Sequence, residues 1–409
     1  MTLEIRPITN DEFLDYSVSM ARTFGDTPND EHSEHHRPVV ELDRTLAAFD
    51  GARIVGTYGV ETYALTVPGG RTVPAAGVTA VSVAPTHRRR GILTSMMRLG
   101  LEDSRHRGEP VAMLISSESV IYGRYGFGIA TQEAQYEIDK GHIHFAHGPK
   151  ITGSVDVLDM KEAADVLPAV FDLVRRSNAG FLTRSGPWWE LWFKDLEHWR
   201  DGHSDRRAAV YTAGNGSVDG YGAYRIKSSW DGAGPNSTLR ITDFITVTPE
   251  ARAGIFQFCA SVDLISRIVI QSAPLDDPLR WMLADSRRLI VKSTNDFLWI
   301  RPDDVSKALA ARSYAIEGSL VIEVEDPFRP EPSGRYVLEG GPDGASCKRS
   351  RSRPDLSMSA ADLGAVYLGG VLFSTLARAN RVKEIASGAL RRADLMFSSD
   401  REPWACHTF

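Results

Sequence analysis

The 409-residue chain is poor in cysteine and contains no paired cysteine motif. Cys259, Cys347 and Cys406 are widely spaced and odd in number. The sequence therefore favours neither a disulfide framework nor a structural zinc site, and we expect no metal cofactor. A reducing compartment such as the cytoplasm suits these thiols best.

A basic surplus is also absent, since 47 lysines and arginines face 53 acidic residues, for a net charge of -6. Nucleic-acid binders usually carry the opposite balance, so we expect no nucleic-acid partner. The acidic balance mildly favours cationic substrates through electrostatic steering.

Long apolar runs are missing as well. The longest, residues 364–377, is shorter than the roughly 20 residues that cross a bilayer, and the sequence predicts a buried helix there. The start, Met1–Pro7, becomes charged at once and lacks the apolar core of a secretory signal. We expect a cytoplasmic protein without a membrane span, and the sequence leaves export by another route open.

The most informative stretch runs from Val78 to Gly128. A β-branched strand, Val78–Val83, is followed by a proline turn and by Arg88-Arg89-Arg90-Gly91, which opens directly into a helix from Ile92 to Glu102. The first amides of a helix lack internal partners, the helix dipole is positive there, and a glycine permits close approach. This pattern predicts an anion site whose natural ligand is a pyrophosphate.

The neighbours of this turn narrow the interpretation. A second apolar strand, Val111–Ile115, and the turn Ile121–Gly128 follow, and this order resembles the acetyl-CoA core of the GNAT acetyltransferase superfamily. The segments "VSVAPTHRRRGILTSMM" and "SSESVIYGRYGFG" resemble the Eis (enhanced intracellular survival) family of aminoglycoside acetyltransferases. Leu93 departs from the wider superfamily, which usually has a second small residue there.

The resemblance implies that acetyl-CoA is the co-substrate. In GNAT folds the strands on either side of the helix splay apart, and the pantetheine arm bonds to main chain in the gap. The residues implied to bind acetyl-CoA are Val81, Ser82, Val83, Arg88, Arg89, Arg90, Gly91, Ile92, Leu93 and Thr94.

The resemblance also implies two catalytic groups. Tyr122 matches the general acid that protonates the coenzyme A thiolate, with Tyr125 as its rival three residues later. The C-terminal carboxylate of Phe409 matches the general base. A main-chain amide near Val83 is the expected oxyanion donor.

For the acceptor, the resemblance implies primary amines of aminoglycoside-like polyamines, acetylated at several positions, with Phe24, Asp26 and Glu402 in the substrate site. Two alternatives stay open from the sequence. One is a protein lysine N-acetyltransferase, and the other is a non-catalytic lipid carrier that senses acyl-CoA. The family also implies a homohexamer.

The fold expected from the resemblance is α+β, with tandem GNAT folds of mixed sheets flanked by helices, followed by a sterol-carrier-protein-like domain. We place the catalytic GNAT domain at 1–131, a degenerate GNAT-like domain at 132–295 and the third domain at 296–409. In the second domain a helix is predicted over Asp156–Arg176, and Asp219-Gly220 echoes the Asp50-Gly51 hairpin turn. Glu250 there replaces the arginines, so we expect an anion to be repelled.

Overall fold

A computed structural model describes residues 3–409 of the chain, which divide into two compact units. The first unit comprises residues 3–131, 297–400 and 407–409, and the second comprises residues 132–296 and 401–406. The region that the sequence assigned to a third domain therefore lies mostly in the same unit as the N-terminal region, whereas residues 401–406 belong to the second unit.

The described residues form twenty-one strands and thirteen α-helices. The strands are β1 (Glu4–Pro7), β2 (Leu46–Asp50), β3 (Arg53–Thr66), β4 (Thr72–Val83), β5 (Val111–Ile115), β6 (Gly128–Ile129), β7 (Gln132–Asp139), β8 (Ser154–Leu158), β9 (Arg207–Thr212), β10 (Val218–Lys227), β11 (Trp230–Asp231), β12 (Gly234–Pro235), β13 (Ser237–Thr246), β14 (Ile265–Ala273), β15 (Ile290–Asp296), β16 (Leu298–Pro302), β17 (Gly318–Glu325), β18 (Gly334–Gly341), β19 (Gly344–Ser350), β20 (Leu356–Ser359) and β21 (Val382–Glu384). The α-helices are α1 (Phe13–Phe24), α2 (Asp30–His36), α3 (Ile92–His106), α4 (Ser119–Tyr122), α5 (Met160–Ala163), α6 (Leu167–Arg175), α7 (Gly186–Lys194), α8 (Pro249–Ser261), α9 (Leu279–Met282), α10 (Val305–Ala311), α11 (Ala360–Val366), α12 (Phe373–Arg378) and α13 (Ala389–Phe397).

The larger sheet of the first unit has the order β1-β2-β3-β4-β5-β16-β6. β2 and β3 form the predicted antiparallel hairpin around the Asp50-Gly51 turn, and β4 and β5 are parallel strands joined by α3. β16 pairs with both β5 and β6. Residues 298–302, which the sequence grouped with the C-terminal domain, are therefore an integral strand of the N-terminal sheet.

A five-stranded sheet, β19-β18-β17-β20-β21, forms the other part of the first unit with α10 to α13. α11 approaches the larger sheet at two glycines: a Cβ on Gly128 would clash with the carbonyl oxygen of Ala361, and one on Gly364 with that of Ile300. The prediction of one buried helix over 364–377 is wrong. α11 ends at Val366 and α12 begins at Phe373, because Gly369 lies between them with a φ of +93°.

The second unit is built on a sheet with the order β15-β7-β14-β13-β10-β9-β8, in which α8 joins the parallel strands β13 and β14. The helix predicted over 156–176 is wrong in its first part, since residues 154–158 pair with β9 as a strand and Asp159 caps α5. Asp219 and Gly220 lie inside β10 and do not form the hairpin turn, which closes between Ala213 and Ser217. In the tryptophan-rich segment 188–199, Trp189 belongs to an apolar core cluster and Trp192 packs against it.

Candidate active site

The start of α3 keeps the arginines and the glycine at one exposed turn. Gly91 is the N-cap residue, with a φ of +78°, and a Cβ placed on it would meet no atom within 4 Å. Arg88, Arg89 and Arg90 precede it and are all exposed. The first intrahelical bond runs from the Ser95 amide to the Gly91 carbonyl at 3.0 Å, so earlier amides are available to an anion. This turn suits the pyrophosphate of coenzyme A.

The two parallel strands beside α3 diverge after a short pairing. β4 pairs with β5 only from Ala75 to Gly77, although it stays paired with β3 as far as Val83. Its register with β3 slips between Thr57 and Gly59, a β-bulge at which Ala80 has a φ of +53°. Residues 78–83 thus border an opening that a pantetheine arm could occupy.

The side chain of Ser82 is already paired with another side chain at the bulge, so only its main chain is available to a ligand. The Thr57 hydroxyl donates to the Ala80 carbonyl at 2.7 Å and lies 2.7 Å from the hydroxyl of Ser82, which is buried. Val81 and Val83 are half-buried and pack against the apolar cluster that also contains Tyr122. Sequence reasoning did not single out Thr57 in this region.

Tyr122 ends the short helix α4 and is almost fully buried. Burial raises the pKa of its phenol to about 12, with smaller contributions from Glu118 and Tyr125. The apolar cluster that contains Tyr122 also contains Ile92, and Val83 and Leu93 pack against it, so one core joins the tyrosine to the helix start and to the diverging strand. The phenol therefore keeps its proton at neutral pH, as a general acid must.

Tyr125, the rival acid, is occupied differently. Its hydroxyl lies 3.1 Å from the hydroxyl of Thr94 in the first turn of α3. Its ring meets Phe328 edge to face, with centroids 4.9 Å apart. These contacts tie the turn after α4 to the helix start, so Tyr125 has a structural function that does not need proton transfer.

Phe409 lies where β4 leaves β5. Its ring packs on Tyr63, with centroids 5.1 Å apart, and one ring carbon would lie 3.1 Å from a Cβ on Gly77, the last residue of β4 that pairs with β5. Phe409 is thus brought to the same opening as Val81 and Val83, and it is adjacent in space to Gly77, which lies 332 positions earlier in the sequence.

Three further polar residues hold this terminus, and sequence reasoning missed all of them. The Tyr63 hydroxyl donates to the carboxylate of Glu61 at 2.6 Å and lies 3.3 Å from Nε2 of His407. All three side chains are buried. Alternation along β3 puts Glu61 and Tyr63 on one face, but only the fold reveals that His407 meets them.

The predicted substrate residues are divided between the two compact units. Phe24 ends α1 and is half exposed, and Asp26 follows it as an exposed residue whose amide donates to the Ala21 carbonyl at 2.9 Å. Glu402 lies in the second unit, where its amide donates to Asp276 at 3.0 Å. Burial, and then the charge of Asp276, raises the pKa of the Glu402 carboxyl.

Residues 3–409 contain neither a helix long and apolar enough to cross a bilayer nor a cluster of His, Cys, Asp and Glu that could hold a metal ion.

Family models divide the chain into three parts. Two models described as acetyltransferase (GNAT) domains match residues 4–130 and 180–301, and one described as a sterol carrier protein domain matches residues 305–406. These matches confirm the predicted fold class of two GNAT domains followed by a sterol-carrier-like domain. They also imply the use of acetyl-CoA.

Relatives match the chain over its whole length. An uncharacterized N-acetyltransferase of Streptomyces coelicolor is 39% identical, with all of both chains covered. N-acetyltransferase Eis of Mycobacterium tuberculosis is 32% identical, with 98% of each chain covered. The crystal structure of Eis1 from Mycobacterium abscessus aligns with a TM-score of 0.87 and 33% identity over 99% of this chain and 100% of that one.

These findings confirm the family and the enzyme class expected from the sequence, and they remove the alternative of a non-catalytic carrier. An acetyltransferase requires an amine-bearing acceptor, and the N-terminal GNAT domain implies an acetyl-CoA donor. The chain belongs to the Eis-type N-acetyltransferases of the GNAT superfamily and is an acetyl-CoA-dependent acyltransferase.

Proposed function

We propose that the protein transfers the acetyl group of acetyl-CoA to primary amines of bulky cationic substrates such as aminoglycosides, at more than one position. Tyr122 is the general acid and the C-terminal carboxylate of Phe409 is the general base. The observation that carries this proposal is the packing of Phe409 against Gly77, where β4 leaves β5, with Tyr122 in the apolar cluster beside the same strand.

Acetyl-CoA supplies an acetyl group activated as a thioester. The exposed turn Arg88–Gly91 and the amides of Ile92, Leu93 and Thr94 would hold its pyrophosphate. Main chain at Val81, Ser82 and Val83 would receive the pantetheine arm, with an amide near Val83 facing the carbonyl oxygen.

Each of the two catalytic groups transfers one proton. The acceptor nitrogen forms a bond to the acetyl carbon while the carbon–sulfur bond breaks. The Phe409 carboxylate takes the proton that the amine loses, directly or through water, and the Tyr122 phenol gives its proton to the departing sulfur. An unperturbed alkylammonium has a pKa of about 10.4, so removal of its proton is required at neutral pH.

The raised pKa of Tyr122 sets a cost on its step. A phenol with a pKa of about 12 is a weaker acid than a thiol near 8.5. Transfer between them is uphill by about 5 kcal/mol at 1.36 kcal/mol per pKa unit. A turnover of about 10 per second corresponds to a barrier of about 16 kcal/mol, so a proton transfer that is uphill by about 5 kcal/mol is compatible with that rate.

Glu61, Tyr63 and His407 support the terminal residue in this scheme. The Tyr63 hydroxyl has one proton, which it donates to Glu61, so its oxygen can accept from His407 Nε2–H. This hydrogen bond anchors the chain two residues before Phe409 and thereby limits where the Phe409 carboxylate can lie.

The test measures thiol release from acetyl-CoA with kanamycin in the full chain, in Tyr122→Phe, and in a chain extended by one glycine after Phe409. Both variants should lose at least about a hundredfold in kcat, the usual scale of general acid–base catalysis, while still binding acetyl-CoA. Near-normal turnover in either would remove that residue from its role. A peptide lysine acetylated faster than kanamycin would replace the substrate class and leave the chemistry standing.

The homohexamer and the cytoplasmic location stay predictions that rest on the family resemblance. Light scattering of the purified chain would give the first, and a mass of one to four protomers would contradict it. Cell fractionation would give the second.

A further inference from the structure

A buried arginine lies directly beneath the turn that carries Tyr122. The turn continues from α4 through a short 3-10 helix, Gly123–Tyr125, to Gly126, which has a φ of +82°. Nη1 of Arg301 donates to the Tyr125 carbonyl at 2.7 Å, and a Cβ on Gly126 would clash with the same nitrogen. The guanidinium of Arg301 therefore fixes the position and the orientation of this turn.

Arg301 is itself held by two carboxylates from different parts of the first unit. Its Nε donates to Asp303 at 3.0 Å, and its Nη2 donates to Asp326 at 2.6 Å. Asp326 follows β17, in the sterol-carrier-like part of the chain. Arg329 completes the set with a 3.3 Å contact from Nη1 to Asp303.

Arg329 also contacts the partly exposed carboxylate of Glu331, at 3.4 Å, but the four buried side chains form a neutral group among themselves. Each is at most 6% exposed, and the two positive charges balance the two negative ones. Buried charges persist only where partners satisfy them, and removal of one partner leaves another charge uncompensated. The geometry of the group is therefore stiff, and the turn bonded to it shares that stiffness.

The same aspartate also places an aromatic ring against the turn. The second oxygen of Asp326 accepts from the amides of Phe328 and Arg329, at 2.9 and 3.0 Å. The Phe328 ring then meets Tyr125 edge to face, and the Arg98 guanidinium of α3 lies 5.2 Å from the ring centroid. One loop of the sterol-carrier-like part, residues 326–329, thus touches the tyrosine turn through a charge network and through a ring.

We infer that Arg301 and the loop 326–329 position Tyr122 for proton donation, so that the sterol-carrier-like part acts in catalysis as the support of the active-site turn. This inference rests on the proposed role of Tyr122. Arg301 and Phe328 act through the turn and touch no reacting atom, so they are positioning residues. The acetyl-CoA helix start lies on α3 and should feel their loss less than the turn does.

The central experiment compares Arg301→Lys with Arg44→Lys in the full chain. Lysine keeps the charge but cannot reach three acceptors as a fork. Arg44 is the matched control, because it is equally buried in the same unit and forks onto Glu109 at 2.8 and 2.5 Å without contacting the turn. Both variants should lower Tm, and only Arg301→Lys should lower kcat, by about tenfold, with the KM for acetyl-CoA within twofold of wild type.

A double-variant cycle with Tyr122→Phe separates positioning from general stability. If Arg301 acts through Tyr122, Arg301→Lys should cause no further loss of kcat in the Tyr122→Phe background. Multiplicative losses would overturn the inference. If Tyr122→Phe alone keeps near-normal kcat, the proposed acid fails instead, and the two failures are distinguishable.

Phe328→Leu covers the case in which Arg301→Lys does not fold, since it introduces no unpaired buried charge. Removal of the ring should lower kcat about threefold, again only when Tyr122 is present. Where Arg301→Lys does not fold, an unchanged kcat in Phe328→Leu would overturn the inference.

Discussion

The two seven-stranded sheets share one arrangement, a strand, a helix and a parallel strand, but their helices begin in opposite ways. α3 begins at Gly91, after three exposed arginines and without a capping side chain. α8 begins after Thr248, whose hydroxyl accepts from the Ala251 amide at 3.2 Å, and it carries Glu250 in its first turn. One start is open to an anion, and the other already holds a carboxylate.

The second start is also closed by neighbouring donors. Glu250 accepts from the amide and the hydroxyl of Thr152, at 2.6 and 2.8 Å, and from the Tyr211 hydroxyl at 2.5 Å. The Tyr211 hydrogen bond, and then those of Thr152, lower the pKa of the Glu250 carboxyl to about 2. A phosphate would face a permanent negative charge.

The diverging strands differ in the same sense. β13 and β14 also stop pairing, after Ile241 and Ile270. There, however, Arg252 of α8 donates to the Phe244 carbonyl at 3.2 Å and forms a buried ion pair with Asp277. The comparison teaches that topology supplies a helix start and an opening, and a few side chains decide whether a ligand or the chain itself occupies them.

The largest effect should come from giving the first helix start the charge of the second. Leu93 occupies the second helical position of α3, as Glu250 does in α8. In Leu93→Glu the helix dipole stabilises the new carboxylate, but this carboxylate repels the pyrophosphate. Unit charges about 4 Å apart near a surface interact by up to about 4 kcal/mol, so we expect the KM for acetyl-CoA to rise at least tenfold.

Leu93→Gln is the matched control for this change, because it loses the same apolar contacts without adding charge. Its KM for acetyl-CoA should stay within about threefold of wild type. Steady-state kinetics at two salt concentrations would measure both variants, and the Leu93→Glu penalty should shrink at high salt. Equal KM values in the two variants would place the pyrophosphate elsewhere.

A smaller effect is expected from the backbone of the same turn. Gly91→Ala puts a side chain at a φ of +78°, which costs about 1–2 kcal/mol, and it obstructs close approach of a phosphate. Gly108→Ala, just past the other end of α3, is matched in φ, at +80°, and in free space around the new Cβ. Thermal unfolding should show similar losses of Tm for both.

Only Gly91→Ala should also raise the KM for acetyl-CoA, by about threefold to tenfold. The two variants thus separate backbone strain from ligand contact. If Gly108→Ala raised KM as much, general destabilisation would explain both results.

Local patterns in the sequence were sufficient for the features that carry the comparison. The helix start at Gly91, the hairpin around Asp50 and the placement of Glu250 at the corresponding helix start depend on neighbours a few residues apart, and the structure has each of them. A short segment such as 154–158 was ambiguous, since its pairing with β9 overrides the helical pattern that follows it.

Long-range partners were beyond the reach of those patterns. β16 enters the first sheet by pairing with β5, whose residues lie about 190 positions earlier, and no periodicity indicates that choice. The contact of Tyr63 with His407 spans 344 positions. Arg301 reads as an ordinary strand residue until the loop at Asp326 is folded against it. The residues that position the proposed catalytic groups were therefore the least predictable.

The smallest effect on turnover should come from the second helix start, where the change is read in stability. Glu250→Gln removes a carboxylate whose pKa is lowered to about 2 in the fold, from an ordinary value of 4.5. A lowered carboxyl pKa stabilises the folded state above the ordinary value, and this stabilisation disappears as the pH falls toward 2. The Tm difference between wild type and Glu250→Gln should thus be largest near pH 7, and it should shrink as the pH falls from 4.5 to 2.

Tyr211→Phe, which removes one donor to Glu250, should show a smaller difference with the same pH dependence. The kcat and the KM for acetyl-CoA should stay within twofold of wild type in both variants, because we expect this start to bind no donor. A rise in KM would mean that the second domain takes part in acetyl-CoA binding.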